Sequence, residues 1–228
     1  MDLIETLRST GAVRDFTDEP VDDAVLARVL DTARFAPSGA NAQAWRVVVV
    51  KDQQIRSRLR DLYSPGWADY LTLTAAGLRP WSPVNDRAAE REALSAGAGH
   101  TGEPGGFAAH LDTVPVLLMV FADLAQLAAV DRDLDRYTFA GGASVYPFVW
   151  SLLLAARAEG LGGVLTTMLI RQEDEVKRLL AAPPQLALAA AVALGHPVHQ
   201  PTRLRRGSVA SFTTVDRVDG TPLPTENN

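Results

Sequence analysis

Cysteine is absent from the 228 residues. Disulfides, thiolate metal sites, iron–sulfur clusters and a cysteine nucleophile are excluded together. A basic excess is also missing, since 22 Lys and Arg stand against 27 Asp and Glu, giving a formal net charge of -5. Nucleic acid is therefore not an expected partner, because a phosphate backbone needs a basic surface. Apolar runs such as 116–122 are far shorter than the roughly 20 residues that span a bilayer. The start, Met1-Asp2-Leu3-Ile4-Glu5, has neither the basic beginning nor the apolar core of a signal peptide. These absences set the expectation of a cytoplasmic protein without membrane association. His196 and His199 flank Pro197-Val198 without a third ligand nearby, so no metal is expected. No phosphate-cradling loop is found, and no nucleophile elbow.

The hydrophobic share of 47% is enough for a sizeable core without staples. The length suits one domain with additions better than a string of small ones. Leu3, Ile4 and Leu7 open a short helix that Ser9-Thr10-Gly11 ends. Asp22 or Asp23 can cap a second helix, whose stripe is Val25, Leu26, Val29, Leu30 and Ala33. Four consecutive valines make 46–51 a strand buried on both faces. Residues 53–63 read as a polar surface helix. From 64 to 112 the pattern loosens into an insertion with one or two short helices and loops, and 97–106 is the most loop-like part. A second buried strand covers 114–122, and a helical turn is expected at 123–128. A mostly apolar helix over 143–159 belongs in a core or a subunit interface and stops at Gly160. A strand at 164–168 and a short helix at 173–180 follow. Residues 187–194 are a strand by length or a helix by their alanines. The tail from 199 has few partners of its own and should wrap over a neighbouring surface. Strands and helices mix without strict alternation, which predicts an α+β fold.

Three constellations could carry chemistry. Between the second helix and its strand lies Pro37-Ser38-Gly39-Ala40-Asn41-Ala42-Gln43, with more polar groups than a helix-to-strand turn requires. Arg8 and Arg14 near the start, with Arg203, Arg205 and Arg206 near the end, could converge on a phosphate, for which a planar fork of donors is suited. Taken singly, each also reads as a solvated surface arginine. Gly160-Leu161-Gly162-Gly163 precedes Val164-Leu165-Thr166-Thr167-Met168. These glycines follow a helix, the reverse of a dinucleotide fingerprint, and also read as a tight joint. Trp67, Tyr70, Trp81 and Phe107 could line a substrate pocket or simply pack.

Arg14-Asp15-Phe16, the Pro37-Ser38…Asn41-Ala42-Gln43-Ala44-Trp45 loop, the helix into Gly160-Leu161-Gly162, and a basic tail after Gly195-His196-Pro197 occur in that order. The chain in this respect resembles the nitroreductase family of flavin enzymes, over all but about residues 64–112. The resemblance implies a central mixed sheet flanked by helices, and a homodimer with FMN at its interface. It implies a C-terminal arm, from about 199, that embraces the partner subunit. It implies a single domain over 1–228 with a variable lid at about 64–112. The reaction implied is ping-pong transfer from NADH or NADPH to a nitroaromatic, a quinone or a related small-molecule electron acceptor.

By the same resemblance, Pro37, Ser38, Gly39 and Asn41 meet the flavin ring. Arg14 lies near the phosphate or the pyrimidine edge, and Thr167 and Met168 run along the ring. Arg203, Arg205 and Arg206 close over the phosphate. No protein side chain is implied as a dedicated catalytic acid or base. The family pattern places basic residues and a Ser where this chain has Thr10, Gly11 and Ala12, and Arg8 stands nearby as a replacement charge. It places Pro where this chain has Ala44. Two alternatives follow from these departures and from the insertion. One is a flavin-binding protein without turnover. The other is a specialised branch, such as a reductive dehalogenase or a deazaflavin-linked reductase.

Overall fold

A computed structural model describes residues 2–97, 105–136 and 138–224. Its elements in chain order are α1 (Leu3–Ser9), α2 (Asp23–Ala33), β1 (Trp45–Val50), α3 (Gln53–Ala75), α4 (Arg87–Gly97), β2 (Val116–Asp123), α5 (Tyr146–Ala158), β3 (Gly162–Thr166), α6 (Glu173–Leu179) and β4 (Leu186–Gly195). The strands form one sheet in the order β1-β2-β4-β3, each pair antiparallel. The sheet is thus antiparallel rather than mixed, and the parallel pairing of Ala12 with Gly163 is an isolated bridge outside the named strands. The expected α+β architecture is what forms.

Strand β2 sits at the centre and is buried along its whole length. Its side chains alternate between the two faces, as a period of two demands. Leu118 and Val120 pack with Leu26 and Val29 of α2 and with Phe148 and Leu152 of α5. Leu117, Met119 and Phe121 pack on the other face with Leu59 and Tyr63 of α3 and Val176 of α6. Helix α5 therefore belongs to the core on one side, but Tyr146 and Trp150 remain 41% exposed. Its end is a Schellman motif: Gly160, at φ 82°, donates to the Arg157 carbonyl at 3.1 Å and Leu161 to the Ala156 carbonyl at 2.9 Å.

Strand β1 corrects the reading of 46–51 as buried on both faces. It is the sheet edge, and Val49 is 36% exposed. The β-branched run does favour extended backbone, but burial depends on what covers it. Residues 124–126 make a turn rather than a helix. The alanine-rich stretch 187–194 is a strand, β4, because it is paired on both edges and helix propensity yields to that context. The helix expected over 53–63 runs on to Ala75, capped at its start by Asp52, whose side chain accepts the Ile55 N–H at 2.9 Å. It passes through Pro65 and Gly66. Of the loop expected at 97–106, residues 98–104 lie outside the described residues.

Close approach fixes the joint between α5 and β3. A Cβ on Gly163 would stand 2.5 Å from Leu194 Cδ2 and 2.9 Å from the Ala193 carbonyl oxygen. The latter is backbone in a paired strand and cannot yield. Gly163→Ala is expected to destabilise the fold by about 1–3 kcal/mol, the usual cost of overpacking. Urea unfolding checks this, and an unchanged midpoint would mean that the joint has slack.

Candidate functional site

The N-terminal segment after α1 lies along the end of the sheet. Val13 N–H donates to the Gly163 carbonyl at 2.9 Å, and Thr17 N–H donates to the His196 carbonyl at 2.9 Å. Gly162 permits this, since a Cβ there would meet Val13 Cγ2 at 2.8 Å. The next residue, Arg14, is thereby held at the junction of two clefts.

The first cleft is about 610 Å³ and is lined by Arg14, Leu165–Met168, Ile170, Arg171, Tyr63 and aromatic residues of the 64–112 stretch. Its floor is the turn Met168–Gln172, which directly follows β3 and packs on α3. Gly66 makes that packing possible, because a Cβ there would stand 2.9 Å from Met168 Sδ. Trp67, Tyr70, Trp81 and Phe107 do line this cleft. Trp67 and Tyr70 stack at 5.2 Å between centroids with 4° between planes, and Tyr70 leans on Trp81 at 6.1 Å.

The second cleft, about 390 Å³, shares Arg14 and Leu165 with the first. Thr10, Gly11 and Ala12 border it on one side, Tyr146 and Trp150 on another, and Arg206 closes it. A Cβ on Gly11 would meet Leu204 Cδ2 at 2.9 Å and Pro201 at 3.3 Å. The tail therefore lies directly over Gly11, which is how Arg206 reaches the cleft.

The sequence candidates divide accordingly. Arg14, Thr167 and Met168 meet in the first cleft, and Arg14 and Arg206 in the second. Arg8, Arg203 and Arg205 are exposed and line neither. Nor do Pro37, Ser38, Gly39 and Asn41. That loop is held by its own groups and by Ser144: the Gln43 N–H donates to Ser38 Oγ at 2.9 Å, and the Gly39 N–H donates to Ser144 Oγ at 3.0 Å. Ala40, Asn41 and Gln43 all have left-handed backbone, with φ 51°, 53° and 49°. Three such residues in a row of four are costly for side chains other than glycine.

Two lining residues escaped the sequence reading. Arg171 follows Met168 by three positions on the same turn, so the spacing was there to be seen. Tyr63 carried no local signal. It is 3% exposed, and its hydroxyl lies 3.3 Å from Thr166 Oγ1. Burial pushes the Tyr63 phenol above the usual tyrosine range, against the opposing effects of the Thr166 hydrogen bond and the Arg14 charge. The hydroxyl stays protonated in the cleft wall at neutral pH.

The nitroreductase family model matches residues 7–196. The chain belongs to the nitroreductase family. A 5,6-dimethylbenzimidazole synthase from Rhodobacter capsulatus is 30% identical over 199 residues, covering 86% of this chain and 83% of that protein. An NADH dehydrogenase from Thermus thermophilus is 27% identical over 216 residues, covering 83% of each. The crystal structure of an oxidised iodotyrosine deiodinase, bound to FMN and 3-iodo-L-tyrosine, matches with a TM-score of 0.63 at 25% identity, covering 91% of this chain and 96% of that one.

A phenol whose folded pKa is raised adds stability that is complete below the unfolded value, near 10. That contribution is lost as pH rises through the folded value. Tyr63→Phe is therefore expected to cost about 0.5–1.5 kcal/mol at pH 7, for the lost hydrogen bond, and to flatten the alkaline loss of stability. Unfolding midpoints measured from neutral pH upward in both proteins check this. An alkaline limb as steep in the variant as in the parent would assign it elsewhere.

Proposed function

We propose that the joined clefts hold FMN, and that the protein transfers reducing equivalents from NADH or NADPH to a nitroaromatic, quinone or related small acceptor. The carrying observation is the position of Arg14. It stands between an aromatic-lined cleft and a narrower one that ends in Arg206. A ligand with a flat ring at one end and a phosphate at the other fits that pair of spaces. The structural relative named above binds FMN, which supports the same reading.

The residues suit the group. Arginines supply the charge-assisted hydrogen bonds that a phosphate needs. Thr166, Thr167 and Met168 present backbone at the head of the turn, and Tyr63 presents a neutral hydroxyl. FMN, when bound, supplies the redox chemistry that these side chains lack. Arg14 offers a fixed positive charge beside the ring space, the kind of preorganised field that favours developing negative charge. The aromatic wall narrows the water-accessible volume.

A homodimer accounts for two further observations. The 37–43 loop lines neither cleft of its own chain, and its exposed surface is open to a second copy. The tail carries exposed apolar side chains, Phe212 at 73% and Val218 at 99%, as an arm that covers a partner would. On this reading the protein is one domain with a lid at about 64–112 and an arm from about 199. Gly11 favours a second reading, flavin binding without turnover. Leu204 and Pro201 crowd this position, and as glycine it offers no basic side chain to grip the phosphate.

The purified protein should be yellow and release FMN on denaturation. Arg14→Ala should weaken FMN binding roughly tenfold or more, the worth of one charged hydrogen bond. A colourless protein that takes up no added FMN would overturn the proposal, and unchanged affinity in the variant would remove Arg14 from the site. Oxidation of NADH or NADPH with a nitroaromatic or a quinone separates turnover from binding alone. A stable monomer by size-exclusion chromatography would contradict the shared site.

A further inference from the structure

The 64–112 stretch and the turn after β3 give the first cleft a second recognition element, opposite in kind to its aromatic wall. We propose that Arg171, set against Trp67, Tyr70 and Trp81, selects acceptors that are flat aromatic rings carrying an anionic group. This rests on the reading of the cleft as an active site.

Charge supplies the first argument. Among the described lining residues, those with charged side chains are Arg14 and Arg171, and no Asp or Glu joins them. The lining is therefore cationic although the chain is acidic overall, with Arg171 offset in part by its pair with Asp69 and by Glu90, which feels its charge. Arg14 stands at the inner end, shared with the second cleft, while Arg171 stands beside the indole of Trp81. An anion bound with its ring on the wall would meet Arg171.

The state of Arg171 supplies the second. Its guanidinium lies over the Trp81 ring at 4.5 Å from the centroid. Its ion pair with Asp69 is long, at 3.6 Å, and the side chain is 43% exposed. No hydrogen bond to a described residue engages its N–H groups. A stacked guanidinium is oriented but not used up, because stacking occupies its face and leaves the fork in the plane. The ion pair does tie the turn to α3 through Asp69, but it engages one nitrogen at 3.6 Å and leaves the rest of the fork for a ligand.

The cost of the wall supplies the third. Trp81 has left-handed backbone, φ 51°, which a bulky residue rarely adopts. Its indole N–H is buried without a partner among the described residues, and so is that of Trp67. Such costs gather at ligand sites, where the surrounding structure holds a residue against its preference. Here they hold three rings and one guanidinium around a single space. A neutral ring gains from the wall alone, an anionic ring gains from both, and a cationic ring is opposed by both arginines.

The phosphates of NADH and NADPH share the anion chemistry, so the test separates donor from acceptor. In FMN-loaded wild type, kcat/KM for 4-nitrobenzoate should exceed that for 4-nitrobenzamide by roughly tenfold, about one charged hydrogen bond. Arg171→Gln should erase the preference by raising KM for nitrobenzoate, leaving nitrobenzamide within about twofold. Single-turnover reduction by NADH or NADPH should be unchanged. Arg171→Lys should restore part of the preference. Tryptophan fluorescence titrated with benzoate and benzamide reads the same selectivity without turnover, with or without FMN. Equal losses on both acceptors would show a structural role, and a defect confined to the nicotinamide step would give Arg171 to the donor. Either would overturn the proposal, as would equal affinity for benzoate and benzamide. Absence of FMN uptake would instead defeat the functional reading, while the benzoate titration still decides this one.

Discussion

Residues 12–17 lie against the sheet along a seam of glycines. Gly162 of β3, against Val13, and Gly195 at the end of β4, against Phe16, each leave a space that a Cβ would fill. At Gly195 it would meet Pro115 Cγ at 2.7 Å and Phe16 Cδ1 at 2.9 Å. The segment can hydrogen-bond to strand ends only because nothing projects there. That contact alone sets Arg14 at the junction of the clefts, since Arg14 is exposed and has no tight packing of its own. The cationic centre of the site thus depends on side chains that are missing.

A second close approach sets the other wall. Helix α3 contains Pro65, which removes a hydrogen-bond donor, and Gly66, which lowers helix propensity by about 1 kcal/mol. Both would ordinarily argue for a break. The helix continues because Leu59 and Tyr63 before them and Leu73 after them are buried, and burial of each large apolar side chain contributes about 1.5–3 kcal/mol. In return, Met168 packs against the helix at Gly66, and Arg171 on the same turn pairs with Asp69 of α3 and lies over the ring of Trp81 beyond its end. The helix ends of the pairing are anchored further by buried Asp112, which accepts from Arg60 at 2.8 Å and from Ser57 at 3.0 Å.

Periodicity made much of the scaffold legible. The stripe of α2 and the buried run of β2 were readable because each is covered in the way its pattern implies. Strand β1 was misread because four valines report backbone preference, while exposure is decided by what covers each face: β3 is also an edge strand and is largely buried. Much of the candidate site was legible: Arg14, Thr167 with Met168, Arg206, and the aromatic residues Trp67, Tyr70, Trp81 and Phe107 all line the clefts. Tyr63 and Arg171 are 108 positions apart, and no local signal could pair them. The surplus polar groups of the 37–43 loop had a cause that sequence could not show. Several are spent holding a left-handed backbone, as when Gln43 Nε2 reaches Asn41 Oδ1 at 3.3 Å.

Net charge was the least informative quantity for the site. A formal charge of -5 excludes a broadly basic surface, yet says nothing about how charge is distributed. Acidic residues here are spent at exposed pairs such as Arg28 with Glu159 at 2.7 Å and Arg178 with Glu175. Such pairs contribute little stability individually, but they neutralise arginines away from the clefts. Arg14 and Arg206 enter no ion pair among the described residues, and Arg171 enters a long one. In a concave, aromatic-lined space the field of an uncompensated cation is focused rather than screened. The charge that matters is thus a matter of how far each arginine is compensated: Arg14 and Arg206 are unpaired among the described residues, and Arg171 is offset in part by Asp69 and Glu90.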